Sequence, residues 1–336
     1  MPVVTSSISE LEALSQAALV ASGVSADMAL SVARAVVQAE SEGNQICGLL
    51  YIPLLCEQLK FGKIDGQAKA SIEITAPGAI IVNAEDGLAH PAIELGMPYL
   101  VDAAKKLGIA AMTVTNSTNC LALSHFVLPL AQTGLIGLGF ANCPAVMAPP
   151  GGKTPILGTN PIAMAIPGEN APTIVIDQST TAVAMTQLII RRDRGENIPE
   201  GWALDKDGSP TTDPEMGLAG SMLPSGGHKG FGIALIVEVL SAALSGAQLS
   251  SEASPYFGDQ GGPSRTGQSI IAIDPVKFNP NFLDSIQNLC ASIENQEGAR
   301  LPGKQKSNSL INATKHGVLI EASLLQQIKE ISGLLS

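Results

Sequence analysis

The chain has 336 residues, of which 45% are hydrophobic and 15% are charged, and it contains no run of about eighteen apolar residues. This composition is typical of a folded, soluble protein and excludes a membrane protein or a disordered one. The 30 acidic residues exceed the 19 basic ones and give a net charge of -11, which would repel the phosphate backbone of a nucleic acid. The length allows one large domain or two modest ones.

The cysteines give no sign of a metal site or of a disulfide framework. They stand at positions 47, 56, 120, 143 and 290, without the close pairs that zinc sites use. The first residues lack the basic flank and apolar core of a secretory signal. These features predict a cytoplasmic protein with reduced thiols, which binds neither nucleic acid nor membrane.

Two helices are predicted at the start of the chain. Ser7 and Glu10 have the spacing of a capping box, and apolar residues at helical spacing continue up to Gly23. Residues 25–43 repeat this design.

The middle of the chain alternates β-rich and helical patterns, which predicts an α/β fold. A pair of short strands around a Pro-Gly turn comes first, followed by a helix, a buried strand, a second helix and another buried strand. These elements are predicted at 71–87, 91–108, 109–117, 121–133 and 135–143.

The second half of the chain begins with residues 144–172, whose many prolines and glycines exclude an ordinary helix. A strand is predicted at 173–180 and a polar loop with successive turns at 198–220. Residues 231–247 are apolar on nearly all sides and predict a buried helix. One more strand and amphipathic helices are expected from residue 267 onward.

Two glycine-rich stretches are the strongest candidates for a binding site. Neither the GxGxxG pattern after a strand nor the GxxxxGK[ST] pattern occurs, but "APPGGKTPILGTNP" and "LPSGGHKGFG" do. The second stretch places His228 and Lys229 among glycines just before a predicted helix, where backbone N–H groups and a cation suit an anion. The alternative is a pair of tight turns that only route the chain, and the residues alone leave both interpretations open.

Several segments resemble the type-2 malate/L-lactate dehydrogenase family, which includes ketimine reductases acting on Δ1-piperideine-2-carboxylate and Δ1-pyrroline-2-carboxylate. The resemblance implies an α/β fold in which NADPH or NADH lies on a non-Rossmann sheet, a small-molecule substrate, and a homodimer with sites near the subunit boundary. It divides the chain into an NAD(P)-binding domain at 76–274 and a helical domain, mostly on the dimer and substrate side, formed by 1–75 with 275–336. The segments are "EGNQICGLLYIP", "NSTNCLALSHFVLPLAQTGLIGL", "GGKTPILGTNPIAMAIP", "VIDQSTTAVA", "IPEGWALDKDGSPTTDPEMGLAGSMLPSGGHKGFG" and "GQSIIAIDP".

The same resemblance implies the residues of the site. His228 and Lys229 would face the phosphates or ribose of the cofactor, and Thr159 would touch the substrate. The segment "LPGKQKSN" resembles a late cofactor-contacting segment of the family, with Lys304 and Lys306 as candidate charges for binding the cofactor. The other residues expected to line the cofactor are Cys120, Leu121, Ala122, Leu123, Ser124, Asp177, Gln178 and Ser179.

The chain departs from the family pattern where protons are handled. Where the family has Ser, His and Arg, this sequence has Ile46, Cys47 and Tyr51, and Gln187 stands where the ketimine reductases have an Asp. Cys47, Tyr51, Thr159 and Gln187 are therefore the candidate catalytic residues. Cys47 could act as a nucleophile or a weak acid, or simply fill space. Tyr51 could bind a substrate carboxylate or simply pack.

These departures favour one reaction class. Reduction of a ketone needs a proton donor, whereas a cyclic imine can enter the site already protonated and needs only a hydride. The hypothesis is therefore NAD(P)H-dependent reduction of a cyclic imine carboxylate to the cyclic amino acid. The alternatives are a catalytically impaired, cofactor-binding homologue and a 2-oxo acid/2-hydroxy acid dehydrogenase.

Overall fold

The computed structural model, which describes residues 2–334, alternates strands and helices through most of the chain. The strands are β1 (Val3–Ser6), β2 (Ser71–Ala76), β3 (Ala79–Asn83), β4 (Ile109–Ser117), β5 (Ile136–Ala141), β6 (Ile162–Ile166), β7 (Ile174–Gln178), β8 (Ala203–Leu204), β9 (Pro210–Thr211), β10 (Ser221–Met222), β11 (Thr266–Ile273) and β12 (Val318–Glu321). The helices are α1 (Ile8–Ala21), α2 (Ala26–Ser41), α3 (Tyr51–Lys60), α4 (Ala89–Leu107), α5 (Ser124–Gln132), α6 (Met185–Arg194), α7 (Pro214–Ala219), α8 (His228–Glu238), α9 (Phe282–Glu294), α10 (Lys304–His316) and α11 (Ala322–Ser332). The predicted α/β class is confirmed.

A seven-stranded sheet with the order β2-β3-β4-β11-β5-β6-β7 forms the centre of the molecule. Strands β3 and β4 are parallel, and every other neighbouring pair in this sheet is antiparallel. A Rossmann sheet is mostly parallel. The expected non-Rossmann sheet is therefore confirmed.

Two apolar cores support this arrangement. Helices α4 and α5 pack on the large sheet, where Leu100 and Leu130 contribute to a core that includes Met112 and Ile270. Burying such a side chain stabilises the fold by about 1.5–3 kcal/mol. A second core joins the N-terminal helices to α11, and the antiparallel pair β1–β12 ties the two ends of the chain together.

The start of α1 follows the sequence prediction at atomic detail. Oγ of Ser7 accepts a hydrogen bond from the backbone N of Glu10 over 3.3 Å, and Oε2 of Glu10 accepts one from the backbone N of Ser7 over 2.9 Å. This reciprocal pair is the capping box that the spacing predicts.

The region predicted as a polar loop at 198–220 contains regular structure. Strands β8 and β9 form a small sheet with β10, and α7 lies between β9 and β10. Asp213 caps α7 by accepting hydrogen bonds from the backbone N of Glu215 and Met216, and Pro214 begins the helix. Asp followed by Pro is a helix-start signal, which the surrounding turn residues concealed.

The expectation that residues 231–247 form a buried helix is wrong in part. Helix α8 forms and continues as a π-helical turn at Val239–Ala243, but only one side of it is buried, the side that carries Ala234 and Val237. A helix that is apolar all round is buried only where neighbouring elements surround it, and here the chain leaves one face open. The large exposed side chains on that face are Ile233, Leu235, Ile236, Val239 and Leu244, which are 43–58% exposed.

Within residues 2–334, no helix combines the length and apolar character needed to cross a membrane.

Candidate functional site

The centre of the candidate site lies around the start of α3. Cys47 ends a 3-10 turn that follows α2, and Tyr51 is the first residue of α3. Asn119, in the loop after β4, donates a hydrogen bond from Nδ2 to Oη of Tyr51 over 3.3 Å. Tyr51 is also within electrostatic range of the thiols of Cys47, Cys120 and Cys143. Segments that are distant along the chain therefore meet at this tyrosine.

Burial keeps the groups of this cluster protonated. It raises the pKa of the Cys47 thiol to about 12, against the opposing effect of the nearby Lys306 ammonium. Burial likewise raises the pKa values of Tyr51, Cys143 and Tyr256. At neutral pH these groups are uncharged, so they offer hydrogen bonds rather than ionised nucleophiles or strong acids.

The loop before β6 brings Thr159 to the same cluster, where its side chain helps to lower the pKa of the Cys143 thiol against the larger effect of burial. The Thr159 carbonyl accepts hydrogen bonds from both N and Oγ1 of Thr180, each over 2.9 Å. The next residue, Asn160, has a positive φ of 36° and donates from Nδ2 to Oε2 of Glu238 in α8 over 2.8 Å. These buried polar pairs hold the loop in one position.

Asp177 brings a charged pair to the edge of the cluster. It lies near the end of β7, and its Oδ2 accepts hydrogen bonds from the backbone N and from Oγ of Ser124, over 3.0 and 2.7 Å. Nζ of Lys306, in the first turn of α10, lies 3.8 Å from the same oxygen. Both charges lie near enough to the Cys47 thiol to act on its pKa, which Asp177 raises and Lys306 lowers.

A cavity of about 380 Å³ separates the end of β7 from the start of α8. Two backbone hydrogen bonds join its walls, from N of Ala182 to O of Leu223 over 2.8 Å and from N of Ser225 to O of Thr180 over 2.9 Å. Its volume is within the range of about 300–1,000 Å³ that small-molecule pockets occupy. The residues that line it are Gln178, Ser179, Thr180, Thr181, Ala182, Ser225, Gly230 and Ile233.

Four of the expected cofactor residues lie at or beside this cavity. Gln178 and Ser179 line it, and His228 and Lys229 are exposed at the start of α8, between two lining residues of the glycine-rich stretch. Among residues 2–334, no carboxylate lies within ion-pair distance of Lys229. Its ammonium is therefore available to an anion from outside the chain.

Other expected site residues lie in different surroundings. Residues 120–124 are buried, with at most 8% of each residue exposed. The ammonium of Lys304 pairs with Glu294 at the surface over 2.6 Å. Gln187 lies on α6, and within the described part of the chain its side chain makes no hydrogen bond to Cys47 or Thr159.

Three residues of the site were not singled out from the sequence. Thr180 joins the "GTNP" loop to the glycine-rich stretch, and Cys143 and Tyr256 complete the cluster around Tyr51. Cys143 carries a usable signal, since it is a reactive residue type soon after a buried strand. Tyr256 follows no such pattern, and only the tertiary fold brings its Oη to within 3.2 Å of Oγ1 of Thr266.

Comparison with known proteins gives a family for this architecture. A family model described as malate/L-lactate dehydrogenase matches residues 6–329. A (2R)-3-sulfolactate dehydrogenase (NADP+) of Chromohalobacter salexigens is 41% identical, over 89% of this chain and 90% of the relative. A Δ1-pyrroline-2-carboxylate/Δ1-piperideine-2-carboxylate reductase of Pseudomonas putida is 35% identical over 98% of each chain. The crystal structure of the Δ1-piperideine-2-carboxylate reductase of Pseudomonas syringae pv. tomato superimposes with a TM-score of 0.93 at 32% identity, over 98% of this chain and 99% of that one.

Proposed function

Because the chain belongs to the malate/L-lactate dehydrogenase family, we propose that it reduces a small cyclic imine carboxylate with NADPH or NADH. The substrate is Δ1-pyrroline-2-carboxylate or Δ1-piperideine-2-carboxylate, and the product is the corresponding cyclic amino acid. The observation that carries this choice is the protonated state of Cys47 and Tyr51, whose pKa values are raised by burial. Groups that hold their protons so firmly are poor acids for a ketone, while an iminium ion needs no proton from them.

The cavity between β7 and α8 fits part of a dinucleotide. A methyl group at Gly230 would overlap the carbonyl oxygen of Ser225, so the loop that carries Ser225 packs against the first turn of α8 only with glycine there. Lys229 and His228 hold the phosphates or ribose in this proposal, since an ammonium in a glycine-rich loop suits a diphosphate. Gln178 and Ser179 line the same cavity. The bound nicotinamide supplies the hydride.

The residues around Tyr51 orient the substrate. The hydroxyls of Tyr51 and Thr159 donate hydrogen bonds to its carboxylate, and both belong to the same buried cluster. Asn119 fixes the Tyr51 phenol by donating to its oxygen, which leaves the O–H free to point at the substrate. The apolar and uncharged surroundings exclude water from the imine carbon, and Cys47 packs there as a neutral thiol.

The test measures the oxidation of NADPH, and separately of NADH, from the loss of cofactor absorbance. Each imine, and pyruvate, is supplied in turn as the substrate. We expect turnover of at least one imine, and pyruvate reduction slower by about a hundredfold or more, which is the size of a general acid's contribution. The rate on the imine should fall as the pH rises, because the substrate loses its proton. Consumption of neither imine at high enzyme concentration would contradict the proposal.

The 41% identical sulfolactate dehydrogenase supports a second candidate, a 2-hydroxy acid dehydrogenase. Oxidation of (2R)-3-sulfolactate with NADP+, at a rate above that of imine reduction, would favour it. A protein that binds NADPH in a fluorescence titration but reduces none of these compounds would instead be a catalytically impaired homologue.

We also propose that two copies of the chain assemble and that they act in the cytoplasm. The open apolar face of α8 suits a second copy of the chain, since contiguous exposed apolar patches mark interaction surfaces. The protein is then a cytoplasmic homodimer. Residues 76–274 serve as the NAD(P)-binding domain, while 1–75 with 275–336 form the dimer and substrate side.

A further inference from the structure

Asn160, directly after Thr159, has a strained backbone. Its φ of 36° lies in the left-handed region, which residues other than glycine rarely adopt. A residue that precedes a proline, here Pro161, also favours an extended backbone. The "GTNP" loop would therefore relax to another shape unless contacts elsewhere held it.

The contacts that hold this loop come from α8. Nδ2 of Asn160 donates hydrogen bonds to the carbonyl oxygen of Ala234 over 3.1 Å and to Oε2 of Glu238 over 2.8 Å. Asn160 and Glu238 are at most 5% exposed, and hydrogen bonds are stronger in such surroundings than in water. A single buried amide thus attaches the loop to the helix.

Glu238 suits this attachment because both of its side-chain oxygens accept. Oε1 accepts from the backbone N of Ser250 over 2.6 Å, and Oε2 accepts from Oγ of Ser250 over 2.6 Å as well as from Asn160. An amide in its place would turn an N–H group toward N of Ser250 or Nδ2 of Asn160, which are donors themselves.

Glu238 stands at the opposite end of α8 from the residues expected to hold the cofactor. It follows Lys229 by nine positions, and a rise of about 1.5 Å per residue places the two about 14 Å apart along the helix axis. A π-helical turn begins directly after Glu238, at Val239, and such turns are frequent at functional sites. Helix α8 therefore connects the cofactor cavity to the "GTNP" loop as one rigid element.

We infer that Glu238 is a positioning residue, which fixes Thr159 at a set distance from the cofactor bound at the start of α8. This inference rests on the proposed function, in which Thr159 binds the substrate carboxylate. Glu238 acts through Asn160, because the carboxylate holds the amide and the amide holds the left-handed backbone that places Thr159. The helix then sets the separation between cofactor and substrate.

The test uses Glu238→Gln, which keeps the size of the side chain and sets a donor against a donor. The control is Leu100→Ala, which removes a fully buried side chain from the core between α4 and the large sheet and destabilises the fold away from the site. Thermal unfolding shows whether each variant is folded at the assay temperature.

We expect kcat/KM for the imine to fall by about tenfold or more in Glu238→Gln, and the NADPH dissociation constant to change by less than about threefold, because the substrate is misplaced while the cofactor end of α8 is intact. Leu100→Ala should match the unmodified protein in both quantities.

Alkylation of Cys143 reports on the loop without any substrate. The backbone N of Cys143 donates to Oδ1 of Asn160 over 3.4 Å, whereas Cys56 lies in the second core. With iodoacetamide and mass spectrometry, we expect Glu238→Gln to raise the labelling rate of Cys143 relative to Cys56 by about tenfold, since only the loop opens. Leu100→Ala should leave this ratio unchanged, because global unfolding exposes both thiols.

Asn160→Gly breaks the same link from its other side and serves if Glu238→Gln does not fold. Glycine accepts the left-handed backbone but has no amide to be held, so this variant should reproduce both effects. Adding Glu238→Gln to it should change kcat/KM little further, as expected for two residues that act through one contact. Two independent losses that multiply would contradict the inference.

The remaining outcomes are distinct. If Glu238→Gln only lowers the melting temperature, as Leu100→Ala does, or if Cys143 labels faster with no loss of kcat/KM, the inference is overturned. Weaker NADPH binding in Glu238→Gln overturns it as well, since the helix rather than the loop has then moved. Selective labelling of Cys143 in Glu238→Gln, when even the unmodified protein reduces no imine, would overturn the proposed function alone.

Discussion

At the scale of single residues, burial rather than residue type decides what the site can do. A cysteine next to a glycine in a turn could be a nucleophile, but burial raises the pKa of Cys47 to about 12. At pH 8 only about one thiol in ten thousand is then ionised. The sequence leaves both roles open, because burial depends on segments that are distant along the chain.

We expect Cys47→Ser to retain imine reduction within about threefold, since the hydroxyl occupies a similar volume and the thiolate is not used. We also expect iodoacetamide to modify Cys47 slowly in the native protein at pH 8 and rapidly after unfolding. Mass spectrometry of the alkylated peptides measures both rates. Rapid labelling of native Cys47 with loss of activity would show that the thiol takes part in the reaction.

The two lysines of "PGKQK" show what residue spacing on a helix can and cannot predict about the site. Lys304 pairs with Glu294 at the surface, whereas Lys306 faces Asp177. Residues two apart on a helix differ in direction by about 200°, so only one of the two can face the site. The family resemblance predicts both lysines as candidate charges, and the choice between them requires the position of α10 relative to β7.

At the scale of elements, a local sequence pattern predicts a helix or strand correctly where no other pattern overlaps it. The capping box of α1, the pair β2–β3 and the strands β4 and β5 all lie where the sequence predicts them. Helix α7 was missed because its Asp-Pro start lies among turn residues. The three small strands beside it have two residues each, too few for a periodicity to be seen.

The first turn of α8 offers a test of the cofactor cavity. Gly230→Ala should weaken NADPH binding by about tenfold or more, because the added methyl overlaps the Ser225 carbonyl and displaces the loop. The matched control is Gly232→Ala, whose methyl meets nothing within 4 Å. Fluorescence titration gives the affinities, and thermal unfolding shows whether each variant is folded. Equal NADPH affinities in both variants would place the cofactor elsewhere.

At the scale of the whole molecule, the sequence predicts the fold class correctly but does not predict the exposed face of α8. Its apolar composition predicts burial, and the single chain covers only one side of it. An apolar composition predicts that a surface is buried, but it does not determine whether the same chain or another copy covers that surface. The proposed boundaries at 76 and 274 remain a prediction of the same kind.

The homodimer can be tested on the open face of α8. We expect Ile236→Lys to produce monomers, because Ile236 is 56% exposed and a charge there would be buried in the interface. Leu107→Lys is the matched control, since Leu107 is 51% exposed at the end of α4. Light scattering coupled to size-exclusion chromatography measures the masses. Dimers that persist in Ile236→Lys would exclude this face as the interface.

The place of β11 has a consequence for how the protein is made. Strand β11 (Thr266–Ile273) lies between β4 and β5 and pairs with both, yet it is synthesised more than a hundred residues after them. Until it leaves the ribosome, β2-β3-β4 and β5-β6-β7 are two half-sheets with bare inner edges, which can bind other unfinished chains. The last quarter of the polypeptide thus completes the sheet, and a chaperone that shields β4 and β5 during elongation would raise the yield of folded protein more than one that acts afterwards.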